Sequence, residues 1–351
     1  MLRTVKALVY EKPGRANGRI KEIPVPECGE DQVLIKVISC GICKPAEKTH
    51  DANGSVLGRY PAVPGHEMAG IVEKTGKRVT YCQSGDRVAV DNGVPCGKCY
   101  YCKRGQTAFC EDFGSMGHNL QGGMAEYIAV DEKNVYKIPN GVSFDQAAMC
   151  ELIGCCLRAV ERSRVRYSDS VLILGAGASG MILAQLFKNS GAGSVSVTDR
   201  VESKLDIMKN KGIRAYRLEK DDYEALIEKL KKDEPKGFDI IVDACGSLDA
   251  GAASLACLKR GGTYVGYSFP DGEEKGFVCS VPDFIKNEWT YVGSTFNSEF
   301  EKCLEILSQG KVDCSCLITG HYPLEEYFEA LDENLNDEDS IKIMIHPNGR
   351  T

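Results

Sequence analysis

The sequence has no excess of positive charge: 43 Lys and Arg stand against 50 Asp and Glu, for a formal net charge of -7 at pH 7. Apart from a patch at residues 332–339 the acidic residues are scattered, so electrostatics gives no reason to expect a nucleic-acid partner. Long apolar runs are missing too. The longest uncharged stretch, 170–187, is interrupted by Gly175, Gly177 and Gly180 and barely reaches the length of a bilayer span, so no membrane partner is expected. The first ten residues do not read as a secretory signal; they read as a strand carrying Arg3 and Lys6. No repeat of solenoid period and no low-complexity segment is present. What is plentiful is cysteine, 17 residues, and glycine, 37 residues, in a chain of 351. An odd cysteine count without a signal segment predicts a cytoplasmic protein whose thiols are reduced or on metal. The length predicts two domains.

Up to about residue 150 the chain is punctuated by Gly, Pro and short β-rich runs such as 32–39 (QVLIKVIS), 69–72 and 86–90. Beyond it, strand-like 171–174, 194–198, 239–243 and 263–267 alternate with helical 178–189, 201–211 and 250–258, and Gly261-Gly262 reads as a turn. Such alternation predicts a doubly wound parallel sheet covered on both faces, an α/β fold. A helical run at 299–308 and a strand-like tail at 341–345 follow, the tail expected to return to the first domain. The charged run 228–236 reads as a solvated helix end.

Within VLILGAGASGMILAQL, Gly175, Gly177 and Gly180 follow a strand and open a helix, and Asp199 ends the next strand. The first glycine permits a tight turn, the second lets backbone approach a pyrophosphate, and the third lets helix and strand pack closely; the Asp would accept the ribose hydroxyls. Cys96, Cys99, Cys102 and Cys110 form C-x2-C-x2-C-x7-C, a spacing that lets one loop wrap a tetrahedral ion in a closed, structural site. A second metal set must be assembled from distant positions: Cys43 in SCGIC, His66 with Glu67 in VPGHEMAG, and Glu151 in AAMCELIGCC. Each of these alone also reads as an ordinary side chain. Three protein ligands plus an open position would make a catalytic zinc.

The order of these motifs resembles that of the zinc-containing medium-chain dehydrogenase/reductase family, in its polyol or sorbitol dehydrogenase branch. GGMAEYIAV (122–130), VDACG (242–246) and the late Gly293-Ser294 add to the likeness. The resemblance implies a GroES-like β-rich catalytic domain (1–152 and 296–351, with a structural zinc lobe at about 93–113) and an inserted Rossmann domain (153–295). It also implies two zinc ions per chain, one catalytic on Cys43, His66 and Glu151 with Glu67 as an alternate ligand, and one structural. NAD(H) would be held by Gly175, Gly177, Ala178, Gly180, Asp199, Arg200, Lys204, Cys245 and Gly246. Met116, His118, Phe296 and Asn297 lie where the family lines its substrate cleft. A homodimer or homotetramer is implied as well.

Family members of the ethanol type carry Cys where this chain has Glu151, whereas polyol enzymes carry Glu, and CELIGCCLRAV is similar to their segment. The resemblance therefore implies reversible oxidation of a secondary hydroxyl of a polyol, cyclitol or sugar. A simple alcohol dehydrogenase or aldehyde reductase, or a non-catalytic nucleotide-binding member, is the alternative. The segment after Cys43 departs from the pattern: Lys44-Pro45-Ala46-Glu47 stands where the family has Ser or Thr followed by Asp. Glu47 is expected to take over a proton-relay or His-orienting task, with His50 and Lys48 as other proton carriers.

Overall fold

The computed structural model describes residues 3–52, 58–269, 280–297 and 299–350. The chain divides into two compact units, Met1–Leu152 with Glu299–Thr351, and Ile153–Ser298. The sequence placed the second crossing just before Phe296; it falls at Ser298, so Phe296 and Asn297 belong to the second unit.

The first unit opens with the antiparallel hairpin β1 (Thr4–Tyr10) and β2 (Gly18–Pro24). Strand β3 (Gln32–Gly41) is followed by helix α1 (Lys44–Asp51), β4 (Glu67–Thr75), β5 (Arg87–Val90), the short pair β6 (Gly93–Val94) and β7 (Gly114–Ser115), then β8 (Tyr127–Asp131) and β9 (Val135–Lys137). Helix α2 (Phe144–Ala148) starts from a capping box of Ser143 and Gln146. Helix α3 (Cys150–Ser163) follows it. Strand β3 pairs with both β4 and β8 and is buried on both faces, which is why QVLIKVIS reads as nearly continuous apolar sequence. Its residues Val33, Ile35 and Val37 lie in one cluster with Val72, Val88 and Val130. The sequence saw only the apolar centre of β4; pairing extends it over the charged Glu73 and Lys74.

The second unit is a six-stranded sheet with every neighbouring pair parallel. Its elements are β10 (Ser170–Leu174), α4 (Ala178–Asn189), β11 (Ser194–Asp199), α5 (Glu202–Asn210), β12 (Arg214–Arg217), α6 (Tyr223–Asp233), β13 (Phe238–Asp243), α7 (Leu248–Ser254), β14 (Leu258–Gly266), α8 (Val281–Asn287) and β15 (Thr290–Gly293). The strand order β12-β11-β10-β13-β14-β15 reverses between β10 and β13, where such sheets leave a crevice at their carboxyl ends. Gly261-Gly262, read from sequence as a turn, lies within the span of β14, where the pairing steps from Leu258 to Thr263 while β13 advances only from Phe238 to Ile240; residues 259–262 leave the ladder there, with Gly261 at φ 74°.

The chain then returns to the first unit as α9 (Phe300–Ser308), β16 (Ile318–Pro323), α10 (Tyr327–Asn336) and β17 (Lys342–His346). Strand β17 runs antiparallel to β3 and parallel to β16, completing a seven-stranded sheet. Among the described residues no helix is long and apolar enough to cross a membrane.

Candidate active site

Cys43 ends the loop after β3 and is the N-cap residue of α1. Pro45 occupies the first turn of that helix, where its missing N–H costs nothing and its fixed φ suits helical geometry. The departure at Pro45 is therefore a helix start, and it carries Glu47 and His50 inward, both completely buried, while Lys48 stays exposed. The ligand atoms of Cys43, His66 and Glu67 lie within 4.8 Å of one another. Glu151, in the first turn of α3, reaches His66 Nε2 with Oε2 at 4.0 Å.

Glu67 has a partner of its own. Its carboxylate is ion-paired with Lys342 on β17, and Lys342 Nζ also donates to the Ile42 carbonyl at 2.9 Å. Both residues are buried. With Glu67 held by Lys342 in this way, Glu151 is the other carboxylate beside His66. Lys342 was not among the residues expected from sequence; its only signal was a lysine inside the otherwise apolar IKIMI.

Burial disfavours a charged His66, yet Cys43, Glu151 and Glu67 outweigh it and push His66 up to about 10. One imidazole, one sulfur and one carboxylate are donors that suit zinc. His66 Nδ1 and Glu47 Oε1 are both buried without a hydrogen-bond partner, while Glu47 Oε2 accepts from the Tyr327 hydroxyl at 2.8 Å. Burial raises Glu47 to about 7, opposed by His66 and Tyr327.

His118 stacks on His66 at 4.7 Å and on His50 at 6.0 Å. Burial, then His66 and His50, hold it down at about 3, so it is neutral at physiological pH. His50 contacts the Gly117 carbonyl at 3.0 Å and the Tyr60 hydroxyl at 2.9 Å. Met116 is buried in the core of this unit. Phe296 and Asn297 follow β15 in the second unit.

The loop between β6 and β7 brings Cys96, Cys99, Cys102 and Cys110 together, their sulfurs within 4.8 Å of one another. Cys99 Sγ and Cys110 Sγ are 4.0 Å apart. A disulfide needs about 2.05 Å, whereas zinc bonds of about 2.3 Å place tetrahedral sulfurs about 3.8 Å apart. Backbone N–H groups of Cys102 and Glu111 lower Cys99 to about 6, which favours a thiolate ligand. We expect two tightly held zinc ions per chain on elemental analysis. A chelator should strip the three-ligand site first, and Cys99→Ser should remove one ion; a metal content untouched by that substitution would refute the four-cysteine site.

In the second unit the three glycines of the β10–α4 turn have separable tasks. Gly175 has φ 98°, a conformation that penalises any side chain. A Cβ at Gly180 would sit 1.9 Å from the Gly175 carbonyl oxygen. Gly177 has an ordinary φ of -73° and a Cβ there would meet nothing within 4 Å. The fold makes no demand for glycine at 177; a ligand lying on the N-terminus of α4 would, and a pyrophosphate is the group such a turn takes. We therefore expect Gly177→Ala to keep its melting temperature while weakening NAD binding by at least about tenfold, roughly 1.4 kcal/mol; unchanged affinity would refute the cradle.

Asp199 Oδ2 accepts from the Ala176 N–H at 2.6 Å and Oδ1 from the Val201 N–H at 2.9 Å, which fixes the carboxylate at the end of β11. Arg200 is paired with Asp221. Lys204 lies in the first turn of α5, and Cys245 and Gly246 follow β13, where their N–H groups donate to Asp243 at 3.1 and 2.8 Å.

A GroES-like β domain with a closed four-cysteine lobe and an open Cys-His-Glu set, and a doubly wound sheet with a dinucleotide turn, define a zinc-dependent dehydrogenase. Residues 29–140 match the alcohol dehydrogenase GroES-like domain and 178–309 the zinc-binding dehydrogenase domain. The chain is 33% identical over 345 residues to D-arabinitol dehydrogenase 1 of Uromyces fabae, covering 97% of each chain. It is 30% identical over 337 residues to sorbitol dehydrogenase of Bacillus subtilis strain 168, covering 94% of each. A solved structure from Sinorhizobium meliloti 1021 bound to NADP, assigned as a zinc-binding dehydrogenase, superposes with TM-score 0.91 at 27% identity, covering 98% of this chain and 100% of the other. An Escherichia coli CFT073 alcohol dehydrogenase complexed with NADH gives TM-score 0.87 at 25% identity, covering 98% and 99%. The chain belongs to the zinc-binding alcohol dehydrogenase family.

Proposed function

We propose that the protein is an NAD-dependent polyol dehydrogenase that reversibly oxidises a secondary hydroxyl of a polyol, cyclitol or sugar to a ketone. The observation that carries this reading is Glu151, a carboxylate against His66 where a thiolate would complete a softer site. The D-arabinitol and sorbitol dehydrogenase relatives support the same substrate class. Bound zinc would supply the Lewis acid for the hydroxyl oxygen and NAD the hydride acceptor. Cys43, His66 and Glu151 would hold the metal, and two anionic ligands balance a divalent charge while Lys342 cancels Glu67. A harder carboxylate donor leaves room for a further oxygen ligand, which a hydroxyl next to the reacting one provides. His118, neutral beside His66, adds no charge to repel the ion.

Asp199 would accept the adenosine ribose hydroxyls and repel an added 2′-phosphate, a preference that Arg200, paired with Asp221 at the surface, would soften. Following NADH absorbance across polyols, cyclitols, sugars and simple alcohols, with NADP in parallel, tests both statements. A vicinal polyol should outperform ethanol, and kcat/KM should favour NAD. Ethanol as the best substrate would instead indicate a simple alcohol dehydrogenase, and a cofactor ratio at or below unity would refute the assignment to Asp199.

A homo-oligomer fits the edge strand β15, which exposes Tyr291, and α8, which exposes Val281 and Ile285; light scattering of the purified protein tests it. None of the sixteen described cysteines is in a disulfide, in keeping with a cytoplasmic protein.

A further inference from the structure

All five histidines of the chain fall in two clusters. His118 stacks on His50 and on His66, which lies by Cys43; the other two, His321 on β16 and His346 on β17, meet Asp145 of α2 in the same unit. We propose that Asp145, His321 and His346 form a further binding site for a divalent ion of the zinc class.

The three ligand groups lie within 4.8 Å of one another. His321 Nδ1 is 3.1 Å from His346 Nε2 and 3.5 Å from Asp145 Oδ2, and His346 Nε2 is 3.7 Å from Asp145 Oδ1. Zinc–nitrogen bonds of about 2.0–2.1 Å place two ligands of a tetrahedral ion about 3.3 Å apart, so the spacings are those of one face of a coordination tetrahedron. The supporting contacts fit as well. His346 is buried and its Nδ1 lies 3.0 Å from the Ile38 carbonyl oxygen. That nitrogen must carry the proton, so Nε2 presents its lone pair to the cluster. Asp145 Oδ1 accepts from the Ser39 hydroxyl at 2.6 Å, which fixes the carboxylate. Two imidazoles and one carboxylate suit Zn²⁺, Co²⁺ or Ni²⁺ rather than Mg²⁺ or Ca²⁺.

Without an ion, His321 donates from Nδ1 to His346 and accepts the Arg350 guanidinium at Nε2, 3.3 Å away. Binding requires the other tautomer of His321 and displacement of Arg350. That arginine is exposed and can turn aside. The ion ties the start of α2 to the β16–β17 pair, and the partly exposed His321 and Asp145 leave its fourth position open to exchange.

The test uses the holoenzyme dialysed until only its tightly held zinc remains, then titrated with Zn²⁺ and, separately, Co²⁺. One further equivalent should bind. Its cobalt form should show d–d bands without the thiolate-to-cobalt charge-transfer band that both cysteine-containing sites give. His321→Ala should abolish this equivalent while keeping the tightly held zinc and the dehydrogenase activity, and Arg350→Ala should tighten it. No further equivalent in the titration, retention of that equivalent in His321→Ala, or a charge-transfer band in its cobalt spectrum would each overturn the site and leave a hydrogen-bonded cluster.

Discussion

Lys342→Met should cost the first unit about 3–5 kcal/mol, the penalty for removing one partner of a buried ion pair. Lys342 is only 3% exposed and Glu67 0%, so water cannot take over the solvation of the carboxylate left behind. Burial alone would lower the Lys342 pKa; Glu67 and then Cys43 reverse this and raise it, so the ammonium is the form the site selects. For a unit of this size the loss corresponds to roughly 10 °C in melting temperature. The double substitution Glu67→Gln with Lys342→Met should recover most of it, because neither partner is then left charged. A single variant that melts within a degree or so of the wild type would show that the pair contributes little. Zinc content is the second readout. With Lys342 gone, Glu67 is free to compete with Glu151 for the metal, so the variant should retain zinc while its activity falls.

The parts of this chain legible in its sequence are those whose geometry is local. The β10–α4 turn is one: φ at Gly175 and the approach of Gly180 to the Gly175 carbonyl are demands made within six residues. The four-cysteine lobe is another, since a single loop supplies every sulfur. Cys43, His66 and Glu151 come from three elements that meet only when β3, β4 and α3 are in place, and spacing could not join them; the resemblance to a known family did. Lys342 was invisible because its partner is set by β17 pairing with β3, hundreds of residues away in sequence. His321 and His346 became neighbours through the β16–β17 register, with His321 opposite Met344 and His346 opposite Pro323. In sequence Pro45 was a departure from the family pattern that Glu47 was expected to cover. In the structure it starts a helix that delivers Glu47 to the buried side.

Glu47→Gln should lower zinc affinity about ten- to a hundredfold, the range seen when the partner of a ligating histidine is removed. Two tasks were open for this residue, relay of the substrate proton and orientation of His66. Its burial separates them. A relay must hand its proton towards solvent, but Glu47 is 0% exposed, with one oxygen on the Tyr327 hydroxyl and the other unpartnered. The unpartnered Nδ1 of His66 is the donor such an oxygen would take. Fixing that proton on Nδ1 leaves the Nε2 lone pair for the metal. Glutamine keeps the shape and still accepts from Tyr327 but loses the negative charge, so the weakening should appear in zinc titration. At saturating zinc, kcat should change far less than the hundredfold or more expected of a lost proton relay. Tyr327→Phe is the companion variant: it removes only the outer contact and should weaken zinc less than Glu47→Gln does. Unchanged zinc affinity together with a hundredfold drop in kcat would reverse the assignment, making Glu47 the relay and requiring a water path past Pro45 to carry its proton out.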